Sequence, residues 1–275
     1  MKKLVLCLTA VLLASCAATI PNEEKVGSVE QLYNDGMDLL TKGYYPKAIN
    51  TFEELERQHP YSAWAVRAEL MKIFTYYQMN EYQEVFAQGD TFIRNHPGHD
   101  EVPYVLYLEA MSHYEQIKDI KRDQQPTLEA LKSFQELIQR FPNSTYARDA
   151  RLKVTLCKSH LAAKEVQIGR YYQEHDRLLA AINRYRFVVD TYETTAHAQE
   201  ALYRLTESYL ALGIVDEAQA SAAVLGYNYP NSVWYQDAYK LLTDKHIKPV
   251  DYVEERSTLG KIWDGVEDAV GIESK

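Results

Sequence analysis

A spacing of twelve residues occurs five times in this chain and restricts its fold more than any other feature. It runs from a small or β-branched residue to a proline: Ala48 to Pro60, Val85 to Pro97, Ala130 to Pro142 and Ala218 to Pro230, while Ala181 to Glu193 keeps the distance without the proline. Seven residues after each anchor stands a large apolar residue, Leu55, Phe92, Leu137, Val188 or Leu225. In the first unit, Leu32, Gly36, Leu39 and Leu40 share one helical face. A break follows at Gly43-Tyr44-Tyr45-Pro46, and Ala48, Ile49, Phe52 and Leu55 share the next face. Each unit is therefore a helical hairpin. A single hairpin is too thin to bury its own apolar face, so the units must stack. The expected fold is all-α: an α-solenoid of five helical hairpins over residues 29–245, closed by a capping helix.

Such an array grows by contacts between neighbours, so 275 residues read as one elongated domain. Glycine is scarce at 11, and no strand-like alternation recurs. The 22 tyrosines suit half-wet helix seams and binding surfaces alike. A net charge of −9 argues against a nucleic-acid partner, because phosphate binding needs clustered cations in excess. The run Lys118, Lys121, Arg122 reads as a solvated loop.

The N-terminus sets a compartment. Met1-Lys2-Lys3 and the apolar run Leu4 to Leu13 form a secretory signal too short to span a bilayer. Leu13-Ala14-Ser15-Cys16 resembles the bacterial lipobox. The expected leader is residues 1–15, with Cys16 the lipidated first residue of the mature chain and 16–28 a tether. Ala17 at the second mature position points to the outer membrane, facing the periplasm.

Within the array, Ser62 is a predicted N-cap, the second unit turns at Met79-Asn80, and Pro126 restarts a helix at its first position. From Tyr146 to Tyr172 the absence of proline predicts one long helix. A helix over Val233 to Lys245 caps the stack. In the extension 246–275, Leu259, Ile262, Trp263, Val266, Ala269 and Val270 fall at helical spacing, which predicts a short amphipathic helix folding back on the last unit.

Sequence motifs of enzymes and metal sites are absent: no phosphate-binding loop, nucleophile elbow or zinc-protease motif occurs, and the eight histidines are not paired at ligand spacing. Cys157 reads as a buried thiol. No catalysis, cofactor or metal is expected.

The segments His59-Pro60-Tyr61-Ser62, Phe92 to Pro97, Tyr104-Val105-Leu106-Tyr107 and Phe141 to Ala147, together with the lipobox leader, resemble the outer-membrane protein assembly factor BamD family over residues 16–243. The resemblance implies a lipoprotein of five tetratricopeptide repeats that works with the barrel protein BamA and other components of the β-barrel assembly machinery. It implies that N-terminal repeats receive unfolded outer-membrane protein substrates and that C-terminal repeats hold BamA. In tetratricopeptide repeats the first helix of each hairpin lines the inner wall. That assigns Tyr33, Met37, Leu40, Leu70, Phe74 and Tyr77 to a peptide-binding groove, and Tyr203 and Glu207 of the fifth unit to the partner face. The alternative is a periplasmic repeat adaptor of cell-envelope or peptidoglycan synthesis or division.

Overall fold

A computed structural model describes residues 28–250. The leader with Cys16, nearly all of the tether and the 251–275 part of the extension lie outside the described residues. Among the described residues there are eleven α-helices and no strand. They are α1 (Val29–Thr41), α2 (Tyr45–Gln58), α3 (Ala63–Gln78), α4 (Tyr82–Asn95), α5 (Val102–Tyr114), α6 (Gln125–Arg140), α7 (Thr145–Glu174), α8 (Leu178–Thr191), α9 (His197–Leu212), α10 (Val215–Asn228) and α11 (Val233–Asp244). The chain divides into two compact units within α4, between Gln88 and Gly89.

The spacing of anchors and apolar residues is the packing pattern itself. Ala48, Val85, Ala130, Ala181 and Ala218 are fully buried, and so are Leu55, Leu137, Val188 and Leu225, with Phe92 nearly so. A small residue lets the helix approach its neighbour, and two turns later the large one fills the gap. The helix ends repeat as closely. The N–H groups of His59, His96, Phe141, Tyr192 and Tyr229 donate to the carbonyls of Leu55, Phe92, Leu137, Val188 and Leu225 at 2.8–2.9 Å. One tight turn then follows in every unit, in which Ser62, His99, Ser144, Thr195 and Ser232 donate to those same five capping residues at 3.0–3.1 Å. The unit ending at Glu193 makes this turn without its proline, so proline reinforces a stop that backbone hydrogen bonding already makes.

The turn inside four of the five hairpins is equally regular; the fifth, between α5 and α6, is a longer loop over 115–124. Tyr44, Glu81, Arg177 and Ile214 donate to Leu39, Tyr76, Tyr172 and Tyr209, five residues back, at 2.9–3.0 Å. This is the Schellman closure, and it requires the residue before the donor to be left-handed. Those residues are Gly43, Asn80, Asp176 and Gly213, with φ between 56° and 78°. Glycine adopts this conformation freely, and Asn and Asp tolerate it.

In the first unit α1 packs on α2 and both pack on α3, around Leu40, Ala48, Phe52, Leu55, Ala65 and Ala68. Ser28 and Ser62 cap α1 and α3 by accepting from Gln31 N and Ala65 N. In the second unit each helix from α5 to α10 packs on the next, and α11 packs on α9 and α10. The long helix is α7, 30 residues capped by Ser144. The repeat proline and the next anchor are 25 positions apart from Pro60 to Val85, but 39 from Pro142 to Ala181. The extra residues add about four turns to α7. Its C-terminal half therefore carries α8, with Ala162, Val166 and Gly169 buried, while the same stripe carried back along its N-terminal half is exposed at Thr155, Arg151 and Arg148. The final helix ends at Asp244, one residue short of the predicted cap.

Candidate binding faces

The first unit gathers an aromatic and methionine wall on α1 and α3. Tyr33 lies 5.0 Å from the Trp64 ring and 6.0 Å from Phe52, centroid to centroid. Met37, Met71 and Phe74 are half-buried against the same core. The Arg67 guanidinium sits 5.0 Å over the Trp64 ring, where a cation is attracted to the aromatic face. Tyr77 is half-buried and meets Tyr82 at 6.4 Å.

Two of the six residues assigned to this groove have little surface to offer a ligand. Leu40 is 7% exposed within the α1–α2–α3 core, and Leu70 is 5% exposed. Helical period gives a residue's face but not which neighbour covers it; Leu40 is covered by residues of α2 and α3. Tyr33, Met37, Phe74 and Tyr77 remain as half-buried candidates. Trp64 and Arg67 were absent from the sequence assignment. The sequence signal for them was slight: a tryptophan two residues after a serine cap, followed by a cation one turn on.

The second unit brings Tyr203 and Glu207 together on α9, inside a polar network. Tyr203 Oη donates to Glu207 Oε1 at 2.8 Å, and Arg204 Nη1 donates to Glu207 Oε2 at 2.8 Å. Gln173 of α7 donates to the same carboxylate at 3.3 Å and accepts from Tyr185 Oη at 2.8 Å. One turn away, Arg170 of α7 grips the buried Glu200 with both arms of its guanidinium, one bond being 2.6 Å. Arg204 adds a longer ion pair to Glu200 at 3.5 Å. The Trp234 ring of α11 stacks 5.4 Å from Tyr203, with the Arg204 guanidinium 5.9 Å from its centre. Burial and the bond to Glu207 push the Tyr203 hydroxyl up to about 12, so it stays a neutral donor. A forked arginine–carboxylate pair, the ion pairs around Arg204 and stacked aromatics make this a rigid, amphipathic face.

Neither face assembles a reaction centre. Among the described residues no three His, Cys, Asp or Glu side chains group as metal ligands. Cys157 is fully buried and its thiol is pushed up to about 11, which holds it protonated. No helix of the described residues is long and apolar enough to cross a membrane.

Residues 26–225 match the family model described as outer membrane lipoprotein. The Caulobacter vibrioides outer membrane protein assembly factor BamD is 44% identical over 88% of this chain and 80% of its own length. The chain belongs to the BamD family. The Rickettsia prowazekii BamD is 43% identical over 84% of this chain and 92% of its own, and that of Neisseria meningitidis strain Z2491 is 31% identical over 87% and 96%. The BamD relatives are named as assembly factors, a non-catalytic role, and this chain is an outer-membrane protein assembly factor in the same sense. The family match runs from the residues before α1 through most of α10, so both candidate faces fall within it apart from Trp234. The last helix and everything after it lie beyond.

Proposed function

We propose that this BamD-family chain is a lipid-anchored receptor and scaffold of β-barrel assembly at the periplasmic face of the outer membrane. In this reading Tyr33, Met37, Phe74 and Tyr77, joined by Trp64, bind apolar side chains of unfolded outer-membrane protein substrates. The face around Tyr203, Glu207 and Trp234 holds the periplasmic domains of BamA. The observation that carries the reading is the half-buried aromatic and methionine wall of the first unit. Its rings are held in place by the core beneath yet keep part of their surface open. Such surfaces accept varied extended peptides, because methionine adapts its shape and aromatic rings offer area at little entropic cost. The rigid, hydrogen-bonded network of the second unit suits a permanent partner better than a passing one.

Photo-crosslinking in living cells tests both halves. Probes at Tyr33 and Phe74 are expected to give adducts with barrel precursors, and a probe at Tyr203 an adduct with BamA. Adducts from all three confined to wall-synthesis proteins would return the chain to the adaptor class. The anchor is tested separately. Cys16→Ala is expected to move the protein from the membrane pellet to the soluble periplasmic fraction, since removing the acyl chains removes about 0.8 kcal/mol per buried methylene. Retention in the pellet after a high-salt wash would sink the lipid anchor.

A further inference from the structure

The described array ends on an unfinished hairpin. Among the described residues the fifth with positive φ is His246, at 60°, and the next residue, Ile247, donates to Leu242 five residues back at 3.0 Å. That is the closure which, in four other hairpins, ends the first helix and launches the second. Histidine gains nothing from a left-handed backbone unless the turn is required. Pro249 stands three residues after His246, as Pro46 stands three after Gly43, and Pro46 lies in the first turn of α2. By its turn, α11 is a first helix.

Its surface agrees. Seven residues before the left-handed position stand Gly36, Ile73, Gly169 and Thr206, all buried, with Ile73 at 1% and Thr206 at 0% exposure. Gly36 and Gly169 lie directly under Phe52 and Tyr185, rings of the second helix of their own hairpins. The equivalent residue of α11 is Tyr239, and it is 48% exposed, beside Tyr235 at 6.3 Å. The position that every other such hairpin covers is open here. Ile247 already turns back onto the Leu202, Ala222, Leu225, Ala238 and Leu242 cluster, and Gln219 of α10 donates to the Lys248 carbonyl at 2.6 Å.

We propose that the chain's own C-terminal segment, residues 259–270, docks on the Tyr239 face of α11 as the second helix of a sixth hairpin. Twenty-five residues follow Val250, more than the 14 of α2, α8 or α10. Leu259, Ile262, Trp263, Val266 and Val270 supply one apolar stripe at helical spacing. The segment 251–275 carries seven carboxylates against three cations, while Lys240, Lys245 and Lys248 outnumber Asp237 and Asp244 on and just after α11, a modest charge complement. Residues 248–258 make a connection longer than the turns of the other four hairpins, and because closure entropy grows only slowly with length the added cost is small. The docked helix would seal the last open repeat face, as terminal repeats require, and it stands apart from the receptor-and-scaffold reading.

Hydrogen exchange on the full mature chain, made soluble by Cys16→Ala, reads the docking directly. Amides of 259–270 are expected to exchange at least about tenfold slower than an unstructured chain. Ile262→Asp with Val266→Asp is expected to abolish that protection and to speed exchange around Tyr239, leaving α1 to α3 unchanged. A photo-crosslinker at Tyr239 is expected to join 259–270 within one chain. Exchange of 259–270 at the unstructured rate, or a Tyr239 adduct found on a second copy, on lipid or on another protein, overturns the proposal.

Discussion

Replacing Tyr185 with alanine is expected to destabilise the second unit by about 3–5 kcal/mol, the range for emptying a buried aromatic site. Tyr185 is fully buried and sits in the cluster of Leu161, Ala162, Val166, Ala181, Val188 and Leu205, drawn from α7, α8 and α9. Its ring lies so close to Gly169 that a Cβ there would run into it. No side chain on α7 at that point can move in to fill the space the ring leaves. The cavity therefore stays open, and the cost includes lost dispersion contacts as well as lost transfer energy. The hydroxyl adds a smaller part. Tyr185→Phe removes only the bond to Gln173 and is expected to cost about 1 kcal/mol. Because a stacked array is stabilised by nearest neighbours, the damage should be local. Hydrogen exchange should accelerate in α7, α8 and α9 and stay unchanged in α1 to α3. A Tyr185→Ala variant that unfolds within about 1 kcal/mol of the parent would show that the ring is dispensable.

Glu109→Gln is expected to stabilise the protein at alkaline pH and to change little in acid. Glu109 lies on α5 with its carboxyl packed where Gly89 of α4 leaves room, and its Oε1 is buried with no hydrogen-bond partner. Burial, then the nearby carboxylates of Asp90 and Glu136, push it up to about 8 from 4.5. Arg140 offsets this only weakly, since its guanidinium is engaged by Glu136 at 2.8 Å. The folded chain thus keeps a proton that the unfolded chain releases near pH 4.5. Between pH 4.5 and about 8 the folded state binds more protons, so stability falls as pH rises, and above about 8 the loss is complete. Glutamine is nearly isosteric and cannot ionise. It should flatten that slope, which for one group is at most about 1.4 kcal/mol per pH unit, and gain on the order of 2 kcal/mol at pH 9. Parallel denaturant titrations of both proteins from pH 4 to pH 9 check this. Identical slopes would mean that Glu109 ionises freely in the folded chain.

Much of the fold is local grammar and could be read before any coordinates. The five anchors and the apolar residues two turns after them are core in every hairpin, because a 3.6-residue period commits that side of the helix to burial wherever the neighbour comes from. Ser62 as a cap, Pro126 in a first turn and the long helix through Tyr146 to Tyr172 follow from backbone chemistry within a few residues. The equivalence of Gly36 and Gly169 was not legible. A glycine twelve residues before an anchor acquires meaning only when the ring it admits, Phe52 or Tyr185, is seen against it.

The sequence by itself determined where most of the helices stop and which face of each is apolar, since these depend on residues a few positions apart. The family resemblance was carried by the same turns. Tertiary structure decided which apolar residues stay reachable. Leu40 and Leu70 were closed off while Trp64 came to stand against Tyr33, because the covering neighbour is set by packing between helices and not by the period within one. It also decided which polar groups lose water: Glu200 is held by Arg170 across thirty residues, whereas Glu109 is left with an unpartnered oxygen. The open face at Tyr239 belongs to the same class, since exposure is a property of what lies alongside and no periodicity within one helix records it.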